Sequence, residues 1–156
     1  MAGKTLIAYE TKGDATEEAA RKIADVLREK FQLEVDIVDL GVQNVSDCSQ
    51  YQNIVIGGGV RAGKVYGKAL KCLENDFGGK KVAFFVSAGQ AGSPATYEKA
   101  KVKFVEDNLG KYPKVKAVST EAFGGRLKIL GKTISDGTDM AKVEAWAEEL
   151  GKKFSQ

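Results

Sequence analysis

Histidine is missing from all 156 residues. Without an imidazole the chain has no Ser/His/Asp or Cys/His nucleophile system and no histidine general base. Cysteine is scarce too. Cys48 and Cys72 stand 24 residues apart with no C-x-x-C spacing, which argues against a structural zinc site and suits reduced thiols in a reducing compartment. No apolar run approaches membrane-spanning length, and the first residues lead into a strand pattern rather than a secretory leader. A cytoplasmic protein without a membrane span is expected. Two prolines stand against 18 glycines; the glycines cluster at a few points, as tight turns and ligand loops require.

What is present fits one globular domain over residues 1–156. Hydrophobic residues make up 43% and charged residues 29%, enough for a core and a soluble surface. The net charge of +3 is unevenly spread. Residues 1–78 carry 10 basic and 12 acidic side chains, a net of −2, and residues 79–156 carry 14 and 9, a net of +5. This bias would attract anions or an acidic partner. It is no nucleic-acid footprint, because no basic stripe is interleaved with aromatics.

Short apolar runs alternate with amphipathic stretches. Residues 5–9 (TLIAY), 34–40 (EVDIVDL), 53–56 (NIVI), 81–87 (KVAFFVS) and 115–122 read as five strands. Between and after them, helical spacing recurs over 17–31, through Tyr66, Ala69, Leu70, Leu73 and Phe77, through Val102, Val105 and Leu109, and through Met140, Val143, Ala147, Leu150 and Phe154. Nearly continuous apolar strands alternating with helices predict an α/β fold: a three-layer, doubly wound, five-stranded parallel sheet. Right-handed crossovers favour the order 2-1-3-4-5. Ligands then bind beyond the carboxyl ends of strands 1 and 3, where the order switches. The loop after strand 5 is expected to lie further out.

Three loops meet at that switch. The first, residues 10–16, is Glu10, Thr11, Lys12, Gly13, Asp14, Ala15 and Thr16. Two hydroxyls and a glycine turn with a free N–H, just before a helix start, make a site for a phosphomonoester; a simple Thr16 helix cap is the plainer alternative. The second loop contains Gly57, Gly58, Gly59, Val60 and Arg61. Its G-x-G-x-x-A and G-x-x-x-x-G-K matches carry little. They follow strand 3, strand 4 ends in Ser87 rather than an acid, and Val65 stands where a P-loop needs Ser or Thr. The third loop starts with Ser87, Ala88, Gly89 and Gln90, whose small residues expose backbone N–H groups or form an ordinary turn. Arg61 reads either as an anion-facing cation or as a solvated arginine. Tyr66 reads as a core residue or as the one aromatic near the site.

The segment from Tyr9 through Thr16 resembles the flavodoxin phosphate loop, written [S/T]-x-T-G-x-T or S-T-K-Y-G-A-T, with Thr11, Lys12, Ala15 and Thr16 in matching places. Glu10 replaces the usual small hydroxyl residue, its side chain expected to face water, and Gly13 comes one place early, with Asp14 in the usual glycine position. Ala122-Phe123-Gly124-Gly125-Arg126-Leu127, and Asp136 through Asp139 with Trp146-Ala147, look like the F-G-G-R-L and G-D-x-R-D-W patterns of one flavodoxin-like branch. That branch includes menaquinone-dependent protoporphyrinogen oxidases and archaeal flavodoxins. The oxidases carry a long basic-aromatic segment after strand 5, whereas residues 124–137 here contain no aromatic residue.

The resemblance implies flavin mononucleotide (FMN) as cofactor. The phosphate would sit on residues 10–16, and the ring between Gly58, Gly59, Val60 and Arg61 on one side and Ser87, Ala88, Gly89 and Gln90 on the other. It implies an electron carrier between redox proteins, ferredoxin-type or flavoenzyme, whose acidic surfaces would suit this chain. An FMN oxidoreductase acting on a quinone, porphyrinogen or nicotinamide is the alternative. The cofactor would supply the redox chemistry and the protein its potential.

Overall fold

The computed structural model describes residues 3–156. Its main sheet has five parallel strands, β1 (Lys4–Glu10), β2 (Val35–Asp39), β3 (Tyr51–Arg61), β5 (Lys81–Ala88) and β6 (Ala117–Gly124), in the order β2-β1-β3-β5-β6. That is the predicted 2-1-3-4-5 arrangement once the short β4 (Lys64–Val65), antiparallel to β3, is counted.

Alternation along the central strands sends side chains to both faces. Ile54 and Ile56 of β3, with Phe84 of β5, belong to the core under α2 (Gly67–Cys72) and the segment 97–109. Val55 and Phe85 belong to the core under α1 (Ala15–Phe31) and α5 (Met140–Phe154). In that second core Phe85, Phe123 and Trp146 pack with centroids 5.6–5.8 Å apart. The Trp146 indole N–H donates to Ser119 Oγ at 2.9 Å. The single tryptophan is therefore structural.

Three departures from the sequence pattern have local causes. β3 runs well past residue 56, because glycines 57–59 pair in register with Phe85, Val86 and Ser87. It then turns back through Ala62 and Gly63, both at positive φ (51° and 76°), a two-residue hairpin turn. The expected helix through Phe77 stops at Cys72. Leu73 and Phe77 are buried as the spacing implied, but beyond the helix, Leu73 on a turn and Phe77 in irregular chain. The segment 97–109 is α3 (Tyr97–Ala100), a π-helical stretch (Lys101–Glu106) and α4 (Asp107–Leu109). The wider π-turn shifts the buried face, so Phe104 and Val105 point inward while Val102, expected inside, is exposed.

A second small sheet was not foreseen. After β6 the chain forms a hairpin of β7 (Arg126–Ile129) and β8 (Lys132–Asp136). It attaches through glycines. Gly125 N–H donates to Ala88 O at 3.1 Å and Gly137 N–H to Gly125 O at 2.9 Å. A Cβ on Gly124 would collide with the Gly137 carbonyl.

Candidate cofactor site

Beyond the carboxyl ends of β1, β3 and β5 lies a cavity of about 610 Å³, within the usual range for a cofactor pocket. One wall is the turn from β1 into α1. The first helical hydrogen bond is Glu18 N–H to Asp14 O at 2.9 Å, so the N–H groups of Ala15, Thr16 and Glu17 precede the ladder. Asp14 occupies the cap position, yet its side chain accepts no capping bond. Thr16, read as a possible cap, is the second helical residue and is 1% exposed. Its hydroxyl and that of Thr11 both approach Gly59: a Cβ on that glycine would lie 3.1 Å from each and 3.2 Å from the Tyr66 ring. Two hydroxyls and a helix start thus converge on a strand position that carries no side chain. In this state the Gly13 N–H is not free; it donates to Thr11 Oγ1 at 3.1 Å.

Glu10 does not face water. It is buried, and its Oε1 accepts the Lys68 backbone N–H at 2.7 Å in the first turn of α2. The loop entry therefore spends its negative charge on a second helix terminus, not on an incoming anion.

The floor is Ser87 at the end of β5. It is 5% exposed, and its Oγ has no hydrogen-bond partner among the described residues. A buried hydroxyl without a partner is costly and uncommon. This one lines the cavity, where a polar ligand atom would satisfy it.

The far wall is the β7–β8 hairpin. Arg126, with its side chain 14% exposed, reaches Asp14 (2.7 Å), Glu18 (2.6 Å) and Asp136 (3.0 Å). Lys128 also pairs with Asp14. These contacts latch the hairpin to the start of α1. Three carboxylates, Glu18 foremost, hold the Arg126 guanidinium still more firmly protonated. Asp14 is pulled below the usual carboxylate range, first by Lys128 and then by Arg126. The Thr138 hydroxyl and N–H, then Arg126, hold Asp136 down to about 2. A depressed carboxylate favours the folded form above its unfolded value of 3.8 and loses that contribution as pH falls through its folded value. The latch is expected to persist at pH 5 and to open between about 4 and 2. A carboxyl carbon NMR titration of Asp136, followed with the hairpin amide shifts, checks this; a midpoint near 3.8 would refute it.

A flavodoxin-domain family model matches residues 6–149. The chain belongs to the flavodoxin family. The fold agrees with solved flavodoxins. Oxidised flavodoxin 2 from Bacillus cereus superposes with a TM-score of 0.65 at 23% identity over 96% of this chain and 99% of that one. Flavodoxin 1 from the same organism gives 0.65 at 19% over 96% and 97%. A short-chain flavodoxin associated with a non-canonical PDU bacterial microcompartment gives 0.68 at 16% over 97% and 99%. No curated protein matches the chain by sequence.

In this flavodoxin Thr11, Lys12, Gly13, Asp14, Ala15, Thr16, Gly59, Val60, Arg61, Ser87 and Gly89 all line this cavity. Four residues named from the sequence do not. Glu10 binds α2. Gly58 backs onto Val65 and Ala69. Ala88 is in the core, and Gln90 is exposed. Arg61 pairs with Lys64 across the β3–β4 turn. Tyr66 lines the pocket. Sequence reasoning missed Gly125, Arg126, Leu127, Lys128 and Ser135, all of the hairpin region. It placed the loop after strand 5 outside the site. The signal that could have found it was alternation on both sides of Leu130-Gly131, a short-turn pattern.

Proposed function

We propose that this flavodoxin binds FMN as one functional unit and passes electrons between redox proteins. The observation that carries the reading is the convergence of the Thr11 and Thr16 hydroxyls and the α1 N-terminus on Gly59. Donors gathered at a helix start suit a phosphate dianion. The unpartnered Ser87 hydroxyl fits a polar group of the flavin lying deeper in the cavity. Val60, Arg61 and Tyr66 on one side and Gly89 on the other would border the ring. Bound FMN supplies one- and two-electron redox chemistry. The chain's own residues hold the phosphate, shape the cavity and set its charge.

Titration of the flavin-free protein with FMN and with riboflavin tests this. FMN is expected to bind far more tightly, with a shifted visible spectrum; equal affinity for the two would remove the phosphate site. Turnover with a quinone, a porphyrinogen or a reduced nicotinamide would move the reading from carrier to enzyme.

The wall charges predict the potential. Among the described residues Asp14 is the one acid lining the cavity and is paired with Arg126 and Lys128, whereas Lys12 and Arg61 line it with no ion-pair partner. A cationic lining favours the negative charge that reduction adds. The second one-electron potential is expected to be less negative than that of an acidic flavodoxin. An anaerobic redox titration giving an equally low value would contradict this.

A further inference from the structure

The tip of the β7–β8 hairpin is built against its own stability. Leu130 has φ 52° and is 99% exposed. A two-residue turn at positive φ favours Asn or Asp before glycine, and a bulky apolar residue there is strained. Leu127, Ile129 and Ile134 are also more than half exposed. Four of the six exposed large hydrophobic residues among the described residues fall within these eight positions. An apolar cluster of this kind beside a ligand cavity marks an interaction surface.

The charges around it select the occupant. Across the cavity mouth the β3–β4 hairpin presents Arg61 and Lys64, and Lys103 Nζ lies 3.6 Å from where a Gly63 Cβ would be. Lys12 stands on the phosphate loop, and Lys132 pairs with Ile129 on the apolar hairpin. None of these five cations has an ion-pair partner among the described residues, while Asp14, Glu18 and Asp136 are held by Arg126 and Lys128. The free charge is therefore positive on both sides of the mouth, with an apolar ridge on one of them. A membrane anchor would gather its cations beside the inserted tip; here Lys132 alone stands there unpaired, Lys128 being held by Asp14. An apolar ridge with a dispersed cationic rim instead matches a protein face with an apolar centre and an acidic margin.

We infer that the β7–β8 hairpin, with the cations across the cavity mouth, is the docking surface for an acidic one-electron redox protein. This rests on the electron-carrier reading above. In the docked pair one electron leaves the reduced partner, oxidising it by one equivalent, and enters the bound flavin, reducing it by one.

The test uses the FMN-loaded protein, an acidic plant-type [2Fe–2S] ferredoxin as probe and basic cytochrome c as control. The triple variant Ile129→Thr, Leu130→Asn, Ile134→Thr leaves the cavity lining intact, and asparagine suits the turn. Its reaction with reduced ferredoxin is expected to slow at least tenfold, while reduction by dithionite and the flavin spectrum stay unchanged. Lys64→Glu with Lys132→Glu is expected to slow the same reaction at low salt and to matter little at high salt. A triple variant reacting at the parent rate, faster exchange with cytochrome c, or sedimentation with phosphatidylserine vesicles would overturn the inference. Calorimetric titration of ferredoxin into the flavin-free protein reads docking without the cofactor. Failure of FMN to bind would thus be distinguished from failure of the surface.

Discussion

Gly59→Val is expected to weaken FMN binding by about 100-fold, on the order of 2.7 kcal/mol. The first added carbon alone would sit 3.1 Å from both the Thr11 and Thr16 hydroxyl oxygens, and 3.2 Å from the Tyr66 ring. The valine methyl groups would then occupy the corner where the two hydroxyls meet the helix start. Gly59 does not need a glycine backbone: it pairs in a parallel ladder with Ser87 and is not among the residues with positive φ. Valine suits a strand, so thermal unfolding is expected to change little while affinity falls. Gly59→Ala should lose less, and riboflavin, which lacks the phosphate, should lose least. Calorimetric titration of FMN and riboflavin into each variant measures this. An FMN affinity within threefold of the parent would place the phosphate elsewhere.

Arg126→Ala is expected to lower FMN affinity at least tenfold and to loosen the whole hairpin. Arg126 is the shared cation of Asp14, Glu18 and Asp136. Its removal leaves those three carboxylates with Lys128, on Asp14, as their one remaining cation. Two of them flank the start of α1, where the phosphate would lie, so the field there becomes more negative. Hydrogen exchange should quicken in β7 and β8 while the main sheet keeps its protection. Arg126→Lys should recover part of the affinity but not the three-way geometry, because an ammonium lacks the planar fork. Unchanged exchange in the hairpin would show that the glycine seam, not the ion pairs, holds it.

The molecule divides cleanly by how far apart its determinants lie along the chain. Strand and helix positions were legible because burial on both faces of a parallel sheet imposes apolar runs, as in residues 53–56 and 81–87. The turn proposed to hold the phosphate was legible because its hydroxyls and helix start are contiguous. Glu10 was misread because its partner, the Lys68 N–H, is 58 residues away. No local pattern announces that contact. Val102 was misread because a π-turn changes the period on which the reading depends.

The loop that opened the case for a cofactor is thus half a site. By itself the sequence determined the sheet, its order and a hydroxyl-bearing turn before a helix start after β1, since each follows from periodicity or from adjacent residues. Tertiary structure alone decided which way the carboxylates point and what closes the cavity. Gly124 and Gly137 let backbone meet backbone, and that contact carries Arg126 over to Asp14, 112 residues earlier in the chain. Such long-range pairings depend on close approach in three dimensions, and a linear pattern holds no record of it.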